Sequence, residues 1–234
     1  MSEYPPTNGP PTPPTGPPGL PWEASEAGFG SLLPTIAGFV ARPIESFTRM
    51  SLSVDLVRPL AYYVIVVLFG TGMNLLWSLL FFRSVANFVR LLAPNEALRA
   101  QMESLLKAPT GIGLVLQFVV TPFIALIVLF VWAAIVHVVL VLLGGARNGF
   151  ATSLRVLCYA RTSALAQVIP IVGGLVAVVW ELAMQIAGLA EAHRAEGWKA
   201  ALAVLLPIVV CCSCIVLAVA LFGAAMLQAI QQQT

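Results

Sequence analysis

A chain of 234 residues, 59% of them hydrophobic and only 9% charged, cannot build the charged skin of a soluble domain, in which about a quarter of residues are charged. With mean hydropathy +0.94 it is expected to be an all-α polytopic membrane helix bundle. A formal net charge of +2 with no Lys/Arg-rich run leaves no footprint for nucleic acid. The four cysteines, Cys158, Cys211, Cys212 and Cys214, fit neither a zinc nor a secreted disulfide spacing.

Taken in chain order, the first segment is PPTNGPPTPPTGPPG within residues 1–21. It lacks apolar surface to bury, so a disordered tail with polyproline II character is expected. The opening MSEYPPTNGP has no basic region and no apolar core, so no cleavable signal peptide is expected. Insertion would then be directed by the first spanning helix.

Residues 22–57 mix apolar residues with Arg42, Glu45, Arg49 and Asp55. Each run is too short to cross ~30 Å of hydrocarbon. One or two short interfacial helices are expected, with Trp22 near the headgroups. Phe39, Val40, Ile44, Phe47 and Met50 would share a side across Pro43. A soluble helix docked on the bundle is the alternative.

About five spans follow in a domain at 58–230, at about 59–82, 112–143, 152–169, 171–190 and 200–229, each near the ~20 apolar residues a crossing needs. The loop after the first carries NEALRAQMESLL (95–106), an expected short amphipathic helix. Pro122 and Pro207 are expected to bend the second and fifth spans. Placing the N-terminus inside puts Arg42, Arg49, Arg58, Arg147, Arg155, Arg161, Arg194 and Lys199 on the cytoplasmic side. Arg83, Arg90, Arg99 and Lys107 are left outside, so the positive-inside bias favours this orientation.

A carboxylate deep in a bilayer costs at least ~2.5–3.5 kcal/mol and seeks a partner inside the protein. With a turn near Val172 formed by Pro170, Gly173 and Gly174, Arg161 and Glu181 lie at ~16 Å and ~13 Å from it along α-helices. The two can therefore meet across an antiparallel hairpin. Gly174, Ala177, Glu181, Gln185 and Gly188 form one small-residue face, the kind that close helix contact in lipid selects. The expected role of the Arg161–Glu181 pair is structural; a proton- or substrate-handling path is the alternative.

His137 is expected to be packed against a neighbouring helix, and His193 to be solvated in the loop EAHRAEGWK. A metal site from His137, Glu181 and His193 is a further arrangement, but no metal and no cofactor is the expectation. Cys211, Cys212 and Cys214 read as small apolar residues. Asn74, Gln117, Gln167 and Gln185 read as interhelical hydrogen-bond groups. No P-loop, nucleophile elbow, dinucleotide fingerprint or paired catalytic carboxylates occurs, and nothing argues for an enzyme.

Several stretches in order then carry a likeness. They are LPWE (20–23), ARPIESFTRM (41–50), GFATSLRVLCYA (149–160), QVIPIVGGLVAVVWELAMQIAGLAEAH (167–193) and GWKAALAVLLP (197–207). In these the chain resembles the Yip1 (Yip1/YIPF) family of five-span membrane proteins, over roughly residues 20–230. The resemblance implies a cytoplasmic N-terminus. Eukaryotic members are linked to Rab GTPases and to vesicle budding or Golgi membrane organisation, but their Asp-Leu-Tyr-Gly-Pro motif is absent here. That absence weighs against a Rab-type partner and points to the bacterial-type branch, in the bacterial cytoplasmic membrane. Two functions are thus expected to compete. One is a non-enzymatic organiser of membrane or scaffold for membrane partners, or for further copies of itself. The other is a small transporter or channel using Glu181, Arg161 and His137.

Overall fold

The computed structural model describes residues 19–24, 28–52, 55–92 and 111–231, with side chains at 19–24, 28–52, 55–81 and 111–222. The expected tail at 1–18 and the helix at 95–106 lie outside the described residues. All regular elements among those described are helical. They are α1 (Leu32–Ala41), α2 (Pro43–Arg49), α3 (Val57–Leu92), α4 (Gly111–Leu142), α5 (Phe150–Ala160), α6 (Gly173–His193) and α7 (Gly197–Gln231). Three-ten segments cover Pro21–Glu23, Phe29–Ser31 and Arg161–Val168.

Four helices are long and apolar enough to cross a membrane: Val57–Phe81, Gly111–Leu142, Gly173–His193 and Gly197–Phe222. The shortest, 21 residues, rises ~31 Å, the thickness of a bilayer's hydrocarbon core. The chain is an integral membrane protein.

The segment expected as a third span, 152–169, is built differently. It is the 11-residue α5 running into eight residues of three-ten helix, and residues 152–160 are all buried. α3, α4 and α6 pack around it, and α7 lies outside on α4 and α6. A segment carrying Arg155 and Arg161 is sheltered from lipid because neither guanidinium can be left in hydrocarbon without a partner. The three-ten helix is narrower than an α-helix and fits between α3 and α6. There Gly70 lies so close that an added Cβ would stand 2.8 Å from Gln167 Oε1, and the Trp77 indole donates to the Gln167 carbonyl at 2.8 Å.

Between the three-ten segment and α6 the chain reverses through Pro170, Ile171 and Val172. Ile171 has φ 68°, a region β-branched residues enter only under strain. Gly173 opens α6 against the previous strand of backbone: a Cβ there would fall 2.3 Å from the Ala166 carbonyl oxygen. Gly174 faces open space. The small face of α6 therefore runs through Gly173, Ala177, Gln185 and Gly188, all buried, while Gly174, expected on it, is exposed. At Gly188 a Cβ would meet Val156 and Phe47 at 2.7 and 2.8 Å. The missing side chain is what admits Phe47.

Residues 20–24 and 28–50 form a strap over one end of the bundle. Arg42 (φ −142°, ψ 68°) breaks the helix before Pro43, which resets the helical phase. The apolar set expected on one side is consequently split: Phe39, Phe47 and Met50 are buried, while Val40 and Ile44 are exposed. Phe39 stacks on Tyr159 at 5.0 Å and meets Phe47 edge-on at 5.0 Å, with Tyr62 of α3 5.0 Å from Tyr159. Trp22, expected at the headgroups, is buried in protein instead. Its indole N–H donates to the Arg58 carbonyl at 2.7 Å, and its backbone N–H to Thr35 Oγ1 at 3.0 Å.

Candidate functional site

The strap is locked by a buried ion pair. Arg155 on α5 reaches out of the bundle centre, and its Nη1 lies 2.7 Å from Glu23 Oε1. The side chains of Arg155 and Glu23 are 3% and 8% exposed. The guanidinium also donates to the carbonyls of Ser51, at 2.8 Å, and Asp55. Glu23 accepts the Tyr159 hydroxyl at 2.9 Å and the Ser51 backbone N–H at 2.7 Å. Charges so far from water hold only with several partners, and here, among the described residues, only the Arg155 Nε goes without one. The nexus ties the strap's first residues, the chain leading into α3, and α5 together at one point.

A second polar chain lies at the same end. His137 Nδ1 on α4 is 2.8 Å from Ser153 Oγ on α5, and Ser153 Oγ is 2.8 Å from His193 Nε2 on α6. His193 Nδ1 accepts the Asn148 backbone N–H at 3.2 Å. A backbone N–H is always a donor, so Nδ1 of His193 carries no proton and its neutral form is protonated at Nε2. Nε2 then donates to Ser153, and the single hydroxyl proton of Ser153 points to His137 Nδ1. The direction of the chain is fixed by its one end. Ser153 sits beside two imidazoles as a nucleophile would beside a base, but it is fully buried and no substrate can reach it in this conformation. His193, expected to be solvated, is fully buried too, because the α6 terminus folds back under the 143–149 loop: Asn148 Nδ2 donates to the Ala192 carbonyl.

The third polar cluster is the hairpin pair. Arg161 Nη1 lies 2.7 Å from Glu181 Oε2. Ser163 Oγ (3.5 Å) and Gln185 Nε2 (3.4 Å) also donate to this carboxylate, and Gln185 accepts the Trp132 indole of α4 at 3.0 Å. Glu181 is thus separate from the His137–Ser153–His193 chain, and the three-residue metal arrangement does not form. Among the described residues no group of three or more His, Cys, Asp or Glu could hold a metal ion. Asn74 and Gln117, expected to bond between helices, are exposed. Cys211, Cys212 and Cys214 are exposed on the outer half of α7, while Cys158 is buried.

A cleft of about 490 Å³ opens beside the histidine chain, under the strap, lined by Phe47, Met50, Leu52, Arg147, Asn148 and Arg194 among others. A smaller one of about 270 Å³ lies near the Ile169–Gly174 turn, lined by Asn74, Trp77 and Gln167 among others. Neither is lined by Arg161, Glu181 or His137. Beyond the cleft, the α6–α7 turn ends in Glu196. The Trp198 indole N–H and the Lys199 ammonium hold its carboxyl below the ordinary range.

Sequence reasoning found Arg161 and Glu181 through their depth and spacing, and missed Glu23, Arg155, Ser153 and Asn148. The signal for Arg155 was present: a charge inside an apolar segment demands a partner as firmly as Arg161 does. Its partner carboxylate lies 132 residues away, too far along the chain for depth arithmetic to pair the two. Compared with models of known protein families, residues 37–220 match the Yip1 domain. No curated protein and no solved structure matches the chain.

Proposed function

The chain belongs to the Yip1 domain family, and from that premise we propose that it is a non-enzymatic protein that organises membrane, its docked strap acting as a wedge in one leaflet. The observation that carries this reading is the outer face of α1. Leu33, Ala37 and Val40 are exposed at helical spacing, and the helix LLPTIAGFVA has no charged residue. A charge-free apolar stripe suits lipid better than water. Its opposite face, through Thr35 and Phe39, is buried against the bundle. A wedge must be rigidly coupled to the body that carries it, and the Glu23–Arg155 nexus and the Phe39–Tyr159 stack supply that coupling.

Several finer points belong to the same reading. The charge distribution favours a cytoplasmic N-terminus, which puts the strap in the inner leaflet of a bacterial cytoplasmic membrane. The missing Asp-Leu-Tyr-Gly-Pro motif supports a bacterial-type member that works apart from Rab-type GTPases. Arg161 and Glu181 act as a structural pair fixing the hairpin at Pro170, Gly173 and Gly174, and exposed faces of α4 and α7 offer surface for membrane partners or further copies.

The test is reconstitution into vesicles of defined diameter, comparing the wild type with Leu33→Glu/Val40→Glu. The wild type is expected to remodel vesicles or to concentrate in those of high curvature. The variant, whose changes lie on the exposed stripe, is expected to fold normally and lose the effect. A wild type with no influence on vesicle shape, or a variant indistinguishable from it, overturns the wedge.

A further inference from the structure

The 490 Å³ cleft combines features that point to one chemical class of ligand. Arg147 and Arg194 line it, and both are exposed. Among the described residues neither guanidinium has an ion-pair or hydrogen-bond partner. No short-range partner among them neutralises either one, while Glu196 draws on Arg147 at longer range from beyond the cleft. Among the described residues Glu191 is the one carboxylate on the lining against these two guanidinium groups. The carbonyl end of α6, which would repel an anion, is capped: Arg194 N–H donates to the Ala190 and Glu191 carbonyls and Asn148 Nδ2 to that of Ala192. α5, with the opposite polarity, begins two residues beyond Asn148 with no side-chain cap on its first turn.

The conformation of Arg194 is a second pointer. It closes α6 with φ 49° and ψ 42°, the left-handed position that helix ends usually give to glycine. A side chain kept there against conformational preference suggests that the side chain is used. Across the cleft, Phe47 and Met50 of the strap and Leu52 just after it form an apolar wall, in which Phe47 and Met50 are buried and Leu52 is largely exposed. A volume of this size suits a small-ligand site, and cationic and apolar walls facing each other suit an amphiphile whose anionic head is a phosphate.

We propose that this cleft binds the headgroup of an anionic phospholipid from the leaflet in which the strap lies, Arg147 and Arg194 holding the phosphate and the Phe47–Leu52 wall receiving the start of the acyl chains. The site names a lipid and does not require the strap to deform the bilayer, so it stands or falls apart from the wedge.

The experiment is thermal unfolding of the full chain in neutral detergent with short-chain phosphatidylglycerol, short-chain phosphatidylcholine or inorganic phosphate. Phosphatidylglycerol at ten times its Kd is expected to raise Tm by about 3–5 °C, with little shift from the other two. Arg147→Gln and Arg194→Gly should each weaken phosphatidylglycerol binding about tenfold, the worth of one charge-assisted contact. Arg194→Gly also relieves the left-handed strain, so its unliganded Tm should not fall; loss of binding in a protein at least as stable separates recognition from folding. Equal shifts with phosphatidylcholine, or unchanged binding in both variants, overturn the site. An equal shift with inorganic phosphate alone overturns its assignment to a lipid.

Discussion

The Glu23–Arg155 and Arg161–Glu181 pairs have the same shortest distance, 2.7 Å, and different surroundings. The first joins residues 132 apart and the second residues 20 apart. Side chains of the first are 3% and 8% exposed, those of the second 29% and 20%. Glu23 accepts from Arg155, Tyr159 and a backbone N–H. The further donors to Glu181 stand at 3.4 and 3.5 Å, at or beyond the limit of a good hydrogen bond. The hairpin pair links two segments that the chain reversal at Pro170–Gly173 already brings together. The strap pair closes a long loop and works beside the Phe39–Tyr159 stack and the Trp22 hydrogen bonds that dock the strap. Distance alone does not rank two salt bridges; desolvation and the number of partners do.

This contrast can be broken by mutation. The largest effect is expected from Glu23→Ala, which strands a buried guanidinium and should cost about 3–5 kcal/mol. Measured by denaturant unfolding or protease sensitivity at the strap, a loss under ~1 kcal/mol would remove the nexus from its role. Next comes the hairpin turn itself. Gly173→Ala pushes a methyl into the Ala166 carbonyl and should cost about 2–4 kcal/mol, whereas Gly174→Ala, facing open space, should stay within ~0.5 kcal/mol. Equal effects at the two glycines would show that the reversal is not held where Gly173 packs.

A smaller change than at Glu23 or Gly173 is expected at the half-buried pair. Glu181→Gln should lower stability by about 1–2 kcal/mol, less than the strap variant, because partial exposure screens the remaining charge. The double exchange Arg161→Glu/Glu181→Arg should recover part of it, as judged by folded yield and Tm. A double exchange no better than either single change would sink the idea that the two side chains act together.

Much of the architecture could be read in advance, since long apolar runs separated by turn signals have one stable solution in a bilayer. The places where the structure departs share a cause. Segment 152–169 has the hydropathy of a span, but the whole stretch 152–160 is enclosed by α3, α4 and α6, and hydropathy cannot tell lipid from protein interior. An unbroken helical period puts Val40 and Ile44 on the face of Phe39 and Phe47, and the break at Arg42 does not preserve it. His193 has a loop-like sequence context and a buried position because Asn148, distant in sequence, covers it.

What the sequence by itself determined is local: composition, the apolar runs, the Pro170–Gly174 turn, and a charge pair close enough along the chain for depth arithmetic to bring it together. What only the tertiary structure decided is long-range. Which carboxylate meets Arg155, which ring nitrogen meets Ser153, and which arginines share a cleft depend on how the strap and helices pack in three dimensions. Buried polar groups must find partners, and the sequence states that requirement without naming the partner.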